Sequence, residues 1–190
     1  FNWLSMKEFL HEVERHRPAV NFATLAGHGT LRRGAMRDET RPITPDEIEI
    51  MIKYLKTALK EGAFGLSTGL KYTHARPAGS RELNALAGIA AGFDGVYATY
   101  VRDEAEGLVP SVEEAIASAR ETSVSLHISH LKAVGKQNWP LMDEALNLIE
   151  TAALNGIDVT FDVYPYTVTG SVLYTLLPEW ITEQGRRMML

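Results

Sequence analysis

One short phrase in the second half of the chain carries residue types suited to metal-assisted hydrolysis. It is Ser129-His130-Leu131-Lys132, which follows a predicted strand. A neutral imidazole is a good zinc ligand, and the ammonium group of Lys132 can bind an anion. The alternative is a hydrogen-bonded core histidine beside a solvated lysine, since single histidines are common. His127 lies three residues earlier, so on a regular strand it faces away from His130.

A second phrase places a carboxylate and a phenol on one face of a predicted strand. Val159, Phe161 and Val163 form the other, apolar face, which suits surrounding helices. Asp162 and Tyr164 should therefore point into the interior of the fold or its mouth. An inward carboxylate is costly unless it is paired or lies near a cation. A local cap or salt bridge explains Asp162 equally well.

Other candidates follow the remaining predicted strands. Tyr100, Arg102, Asp103 and Glu104 form a polar cluster. A surface ion-pair network explains Asp103 and Glu104 well, and we prefer it for them. His28 lies between two glycines, where a mobile loop histidine and a functional histidine are equally consistent with the sequence.

Predicted helices and strands alternate along the chain, and they must position these candidate residues. Helices are predicted to begin at Ser5, Thr44, Ser80, Ser111 and Pro140. Strands are predicted over residues 20–25, 64–67, 96–100, 124–130 and 158–164. Five strands, each preceded by a helix, indicate right-handed crossovers and a parallel sheet.

Two α/β architectures fit this alternation: an open doubly wound sheet and an arc of a closed barrel. No strand is followed by a glycine-rich phosphate loop, whereas polar residues follow every strand, as at the active edge of a β/α barrel. We therefore predict a TIM-type parallel β/α barrel segment with about five of the eight strands. The chain lacks an initiator Met and stops within a helical pattern. We expect residues 1–190 to be a single segment of one barrel domain, truncated at both ends.

Composition narrows the functional classes. The 190 residues carry a formal charge of -5 without a Lys/Arg-rich stripe, which argues against a nucleic-acid partner. No apolar run is long enough to span a bilayer, so we expect no membrane association. Cysteine is absent, which leaves His, Asp, Glu or a modified Lys as metal ligands and fits a cytoplasmic location. The 65–69 segment has the letters of a nucleophile elbow without the helix that must follow, which argues against serine hydrolysis.

Five phrases in order resemble the N-acyl-D-amino-acid deacylase (D-aminoacylase) family of the amidohydrolase superfamily. They are residues 27–32, 65–70 with Tyr72, 97–104, 129–132 and 162–166. The resemblance implies a zinc-dependent barrel that hydrolyses the amide bond of a small-molecule N-acylated D-amino acid. This chain would be the middle of that barrel, from about the third strand to the seventh.

The resemblance also implies roles for individual residues. His130 matches a zinc ligand, and Tyr72, Lys132 and Tyr164 match residues that hold the substrate. The family's first-strand His-x-His pair, its Cys ligand and its general-base Asp are expected outside the segment. Tyr100 stands where the family has a second ligand His, and a neutral phenol is a much poorer zinc ligand than imidazole.

Two functional interpretations stay open at this point. In the first, the complete protein is a zinc-dependent deacylase, and this segment alone is inactive. In the second, which Tyr100 favours, the barrel is degenerate and binds a ligand or partner without catalysis. Five strands of a barrel also leave two open edges and apolar surface, so self-association is expected.

Overall fold

The computed structural model describes residues 3–176, which contain a single five-stranded parallel sheet. Its strands are β1 (Ala26–Gly27), β2 (Gly65–Gly69), β3 (Val96–Tyr100), β4 (Ser125–Ile128) and β5 (Val159–Phe161). They lie side by side in chain order, and every neighbouring pair is parallel. This arrangement confirms the predicted parallel α/β fold, in which the carboxyl ends of all five strands meet at one edge.

Six α-helices accompany the sheet. They are α1 (Met6–Arg15), α2 (His28–Met36), α3 (Pro45–Lys60), α4 (Ser80–Ala91), α5 (Leu108–Thr122) and α6 (Leu141–Leu154). From α2 onward, each helix packs against the next one along the chain, as consecutive crossovers require. Within residues 3–176, no helix is both long and apolar enough to cross a membrane.

The start of α3 shows how local sequence fixes a helix boundary. The Thr44 hydroxyl accepts a hydrogen bond from the Glu47 N–H at 3.4 Å, and the Glu47 carboxylate accepts one from the Thr44 N–H at 2.9 Å. Pro45 occupies the first turn, where its missing N–H costs nothing. Gly62, at φ 111°, follows the helix end. Both predicted boundaries of this helix are confirmed.

The two faces of the sheet differ in character. Leu66, Tyr97, Leu126 and Val159 are paired across β2 to β5, and they belong to the core between sheet and helices. The helices complete this core with Met51, Leu55, Leu86, Ala87, Leu108, Val112, Ala145 and Ile149. Ser67, Ala98, His127 and Thr160 are paired in the next row and face the opposite side. One face therefore supports the helices, and the other lines the interior.

The entry into β2 is held unusually close to β3. Gly65 is paired with Val96, and a Cβ atom at Gly65 would lie 2.0 Å from the Val96 carbonyl oxygen. On the other side, a Cβ atom at Gly95 would lie 3.2 Å from the Gly65 Cα atom. Two backbones approach here with no room for a side chain.

Several predicted boundaries are wrong. Residues 20–25 are not a strand, because the hydrogen bond from the Phe64 N–H to the Thr24 oxygen is isolated and pairing begins only at Ala26. His28 lies in no loop: it is the first residue of α2, a helix that the sequence pattern did not reveal. Ser80 is the first residue of α4 rather than its N-cap, which is Gly79.

Helix α5 also begins earlier than predicted. It starts at Leu108, and Ser111 lies within its first turns instead of capping it. The Ser111 hydroxyl accepts a hydrogen bond from the Asp103 N–H at 3.0 Å, so it anchors the preceding loop. Strands β4 and β5 both end earlier than predicted, and after β4 the chain turns sharply at His130, whose φ is 42°.

Candidate metal and substrate site

The structure brings all five residues singled out for the site to the carboxyl edge of the sheet. Tyr100 ends β3, and the other four lie in the segments after β2, β4 and β5. Together they line a cavity of about 460 Å³: Tyr72, Tyr100, His130, Lys132 and Tyr164. A second cavity of about 600 Å³ shares three of these walls and extends toward β1 and α2. A barrel places its active site at this edge.

Tyr100 packs against two of the other rings. Its ring meets the His130 imidazole edge to face, with centroids 4.4 Å apart at 81°, and meets the Tyr72 ring at 5.6 Å and 84°. Burial, followed by the nearby Glu104 carboxylate, raises the pKa of Tyr100 well above its ordinary value. The phenol is therefore neutral at physiological pH, and it offers a hydroxyl rather than an anionic oxygen.

Lys132 is enclosed by the protein and is not a solvated lysine. Its Nζ donates to the Glu104 carboxylate in a short contact and to the His130 carbonyl at 2.8 Å. The same atom lies 2.9 Å from His130 Nδ1, and 5.4 Å and 5.5 Å from the ring centroids of Tyr100 and Tyr164. The ammonium group is held between one carboxylate and two aromatic faces.

Glu104 corrects the interpretation given to it from sequence. It is only 4% exposed and lies within 3.3 Å of His130 Nδ1 as well as bonding to Lys132. A surface ion-pair network is therefore wrong for Glu104. Asp103 is more exposed and pairs with Lys71 at 3.2 Å, so the earlier interpretation holds better for Asp103. Sequence could not separate these neighbours, because their burial depends on segments far away in the chain.

The turn after β4 is bonded to the end of β5. Asp162 Oδ1 accepts a hydrogen bond from the His130 N–H at 2.9 Å, and Asp162 Oδ2 lies 2.7 Å from His127 Nε2. His127 also contacts the Thr160 hydroxyl at 2.8 Å through Nδ1. The two histidine side chains have different partners, as their spacing predicted, but Asp162 connects them. Asp162 is therefore paired locally, with His127 and with the His130 N–H, which was one of the two interpretations that the sequence allowed for this residue.

The far wall of the larger cavity contains residues that sequence reasoning missed. Arg33 Nη2 donates to His74 Nε2 at 2.7 Å, and both residues line the cavity. Burial, and then the Arg33 charge, lower the pKa of His74 below its ordinary value. His74 is therefore neutral at physiological pH, so the charge of this wall comes from Arg33. The helix that carries Arg33 was not predicted, which is why the residue was overlooked.

A buried charged cluster lies behind that wall. The Glu82 carboxylate accepts two hydrogen bonds from Arg32 Nη1 at 3.0 and 3.1 Å, and it lies 2.8 Å from His28 Nε2. His28 and Glu82 are 0% and 2% exposed. Arg32 balances the Glu82 charge, and His28 Nε2 adds a further contact to the same carboxylate. The cluster ties α2 to α4 and explains why His28 is fixed in place.

Comparison with known proteins finds similar sequences and structures among deacylases of N-acylated D-amino acids. D-aminoacylase of Alcaligenes xylosoxydans xylosoxydans is 39% identical over 166 residues, and N-acyl-D-glutamate deacylase of the same organism is 34% identical over 168 residues. The alignments cover 87% and 88% of this chain, and 34% of each relative. The crystal structure of N-acyl-D-glutamate deacylase from Bordetella bronchiseptica, in complex with zinc and a phosphonate mimic of the tetrahedral intermediate, superposes with a TM-score of 0.83.

The chain is a relative of the N-acyl-D-amino-acid deacylases. The Bordetella deacylase is 36% identical and is matched over 85% of this chain and 34% of its own length. A crystal structure of D-aminoacylase, described as defining a subset of amidohydrolases, is 40% identical over the same shares, with a TM-score of 0.81. L-hydantoinase from Arthrobacter aurescens, 15% identical with a TM-score of 0.56, shares the fold alone. No family model matches the chain.

The fold is therefore an amidohydrolase barrel segment that spans about a third of its deacylase relatives. The Bordetella deacylase structure contains zinc, and a D-aminoacylase structure is described by its binuclear metal centre. The residues described here do not complete a zinc site. Within 3–176, no group of three His, Asp or Glu side chains could hold a metal ion. His130 offers an imidazole, but the neutral phenol of Tyr100 is a poor ligand and Glu104 is bonded to Lys132.

Proposed function

We propose that the protein containing this chain hydrolyses the amide bond of N-acyl-D-amino acids with the help of zinc. Residues 1–190 would be one segment of a single barrel domain, and this segment alone would be inactive. The observation that carries the proposal is the convergence of Tyr72, His130, Lys132 and Tyr164 on one cavity at the carboxyl edge of the sheet. The relatives named for this activity support it.

In this proposal, His130 is the zinc ligand that the chain contributes, and the general-base Asp lies outside it. Zinc, when bound, lowers the pKa of a bound water and polarises a carbonyl. Lys132, Tyr72 and Tyr164 hold the substrate. Lys132 is the cation of the smaller cavity, and an incoming carboxylate would share its ammonium group with Glu104. The tyrosine rings supply apolar walls with polar tips.

The metal assignment is tested by changing one imidazole in the full-length protein. We expect His130→Ala to lower the zinc content and to remove hydrolysis of an N-acetyl-D-amino acid, because the chain then offers no imidazole beside Tyr100 and Lys132. His16→Ala is the matched control, since His16 is exposed at the end of α1 and its Nδ1 contacts Glu12 of that helix, far from β4 in the sequence. Elemental analysis measures the zinc. Equal zinc content in wild type and His130→Ala would overturn the ligand assignment.

A second candidate function is a degenerate barrel that binds its ligand without hydrolysis. Tyr100 favours it, since a half-buried neutral phenol occupies the place of an expected ligand His. The two functions separate when Tyr100→His is compared with wild type in the full-length protein. If wild type binds an N-acetyl-D-amino acid without hydrolysis and Tyr100→His gains zinc and activity, the binding function is correct. Hydrolysis by wild type itself supports the deacylase.

A further inference from the structure

We propose that Asp162 is the positioning residue for His130, holding its backbone in the left-handed conformation that places the imidazole at the site. The importance of that imidazole rests on the proposed function. The clamp itself is a property of this chain and has its own test. We call Asp162, His127 and Thr160 the β5 clamp.

The conformation of His130 needs an explanation. Its φ is 42°, in the left-handed region that side chains with a Cβ atom rarely adopt. Such a residue costs free energy and persists only where surrounding contacts determine it. It also lies two residues beyond the last residue of β4, where no strand pairing of its own constrains it.

Three hydrogen bonds between the turn and Asp162 supply that constraint. The Asp162 carboxylate accepts from the His130 N–H at 2.9 Å. The Asp162 carbonyl accepts from the Leu131 N–H at 2.8 Å, and the Asp162 N–H donates to the Ile128 carbonyl at 3.1 Å. Residues 128 to 131 are thus bonded on both sides of His130 to a single residue of the neighbouring segment.

The carboxylate of Asp162 is itself held from the other side. His127 Nε2 lies 2.7 Å from Oδ2, so the ring donates to this oxygen while Oδ1 is left for the His130 N–H. The register explains the contact: His127 is paired with Thr160, and Asp162 is the next residue on the same face of the β5 segment. Thr160 fixes the second nitrogen of the His127 ring at 2.8 Å.

The clamp acts on the site through the direction of the His130 side chain. In the clamped conformation, the imidazole stands 4.4 Å from the Tyr100 ring and its Nδ1 lies 2.9 Å from Lys132 Nζ. If residue 130 relaxed to negative φ, its Cβ would leave this direction and the imidazole would move away from both partners. Holding a ligand imidazole in one orientation favours ion binding, and here the backbone hydrogen bonds to Asp162 set that orientation.

The test compares Asp162→Ala, Asp162→Asn and Asp158→Ala. Asp158 is the matched control, since it lies four residues earlier, is exposed, and pairs through its backbone carbonyl. We expect Asp162→Ala to speed hydrogen exchange at the His130 amide by at least about tenfold. Its crystal structure should show negative φ at residue 130. Asp162→Asn keeps one acceptor oxygen, so it should retain most of the protection, and Asp158→Ala should match wild type.

In the full-length protein, Asp162→Ala should weaken zinc binding by about 10- to 100-fold, whereas Asp158→Ala should not. Unchanged amide exchange and a positive φ at residue 130 in Asp162→Ala would overturn the clamp. If that variant does not fold, Asp162→Asn decides: a crystal structure in which the residue 162 side chain no longer accepts from the His130 N–H while φ at residue 130 stays positive overturns the clamp. Zinc that binds independently of His130 would contradict the proposed function only, because amide exchange measures the clamp without metal.

Discussion

Glu82 is the buried residue through which α4 is bonded to α2. Its carboxylate is the buried partner of both Arg32 and His28. The pair is almost completely enclosed, with 2% of each side chain exposed, so neither charge has water as an alternative partner. Removing one member of such a pair is costly because the other charge is left buried and unpaired.

We therefore expect Glu82→Ala to lower the free energy of unfolding by about 3–5 kcal/mol, measured by urea titration. Glu121→Ala is the control: Glu121 is exposed and bonds to Asn84, so its loss should cost about 1 kcal/mol or less. A loss below about 1 kcal/mol in Glu82→Ala would show that Arg32 finds another partner.

At the same scale, the candidate site could be predicted in part. The residue types of His130 and Lys132 singled out one strand end, and the structure brings them into one cavity with Tyr72 and Tyr164. Glu104 could not be found in this way, since its burial is created by Lys132 and by the chain around both. Local pattern reveals which groups are present, whereas their charge partners come from other elements.

At the scale of elements, the capping box of α3 has a consequence for pH. Hydrogen bonds from Arg41, and then from the Thr44 N–H, lower the pKa of Glu47 from its ordinary 4.5 to about 2. A folded-state pKa below the unfolded value means that the carboxylate stabilises the fold above pH 4.5. This stabilisation is lost as the pH falls from about 4.5 to about 2.

Between about pH 4.5 and pH 2, we expect the urea midpoint of wild type to fall more steeply than that of Glu47→Gln, which has no carboxylate to titrate at position 47. Glu49→Gln is the control, because Glu49 is exposed on the same helix outside the cap. It should follow wild type. Parallel pH profiles for wild type and Glu47→Gln would contradict the role of this cap.

The elements predicted best are those with strong local determinants. The boundaries of α3 follow from Thr44, Pro45 and Gly62, and β3 was predicted at its observed limits because its apolar and β-branched run is flanked by turn residues. Helix α2 was missed because its sequence contains two glycines and because its buried polar residues bond to Glu82 on α4, a partner distant in the sequence. Tertiary contacts therefore decide the elements whose local preference is weak.

At the scale of the whole molecule, no further strand pairs with the outer side of β5 among residues 3–176. Phe161 and Val163 are 40% and 63% exposed in the described part of the chain, and parallel barrel strands are normally covered on both sides. The alternation of helices and strands along the sequence was enough to predict a five-stranded arc of a parallel barrel. The sequence could not show how much apolar surface the arc leaves exposed, because that depends on which residues the helices cover.

We expect the isolated 190-residue chain to self-associate in a concentration-dependent manner, as measured by analytical ultracentrifugation. Phe161→Lys combined with Val163→Lys should shift the population toward monomer, because charge on an edge opposes pairing. Leu154→Lys is the control, since Leu154 is exposed at the end of α6 and takes no part in strand pairing. A monomer for the wild-type chain at all concentrations would contradict this prediction.

The close approach of β2 and β3 at Gly65 and Gly95 also limits which sequences can evolve into this fold. Every substitution at Gly65 places an atom 2.0 Å from the Val96 carbonyl, a backbone group that no side-chain change elsewhere can remove. In a saturation library selected for folding, position 65 should therefore accept no residue other than glycine, and no second-site suppressor should restore the losses. Gly79, whose added Cβ would meet nothing within 4 Å, should vary freely in the same library.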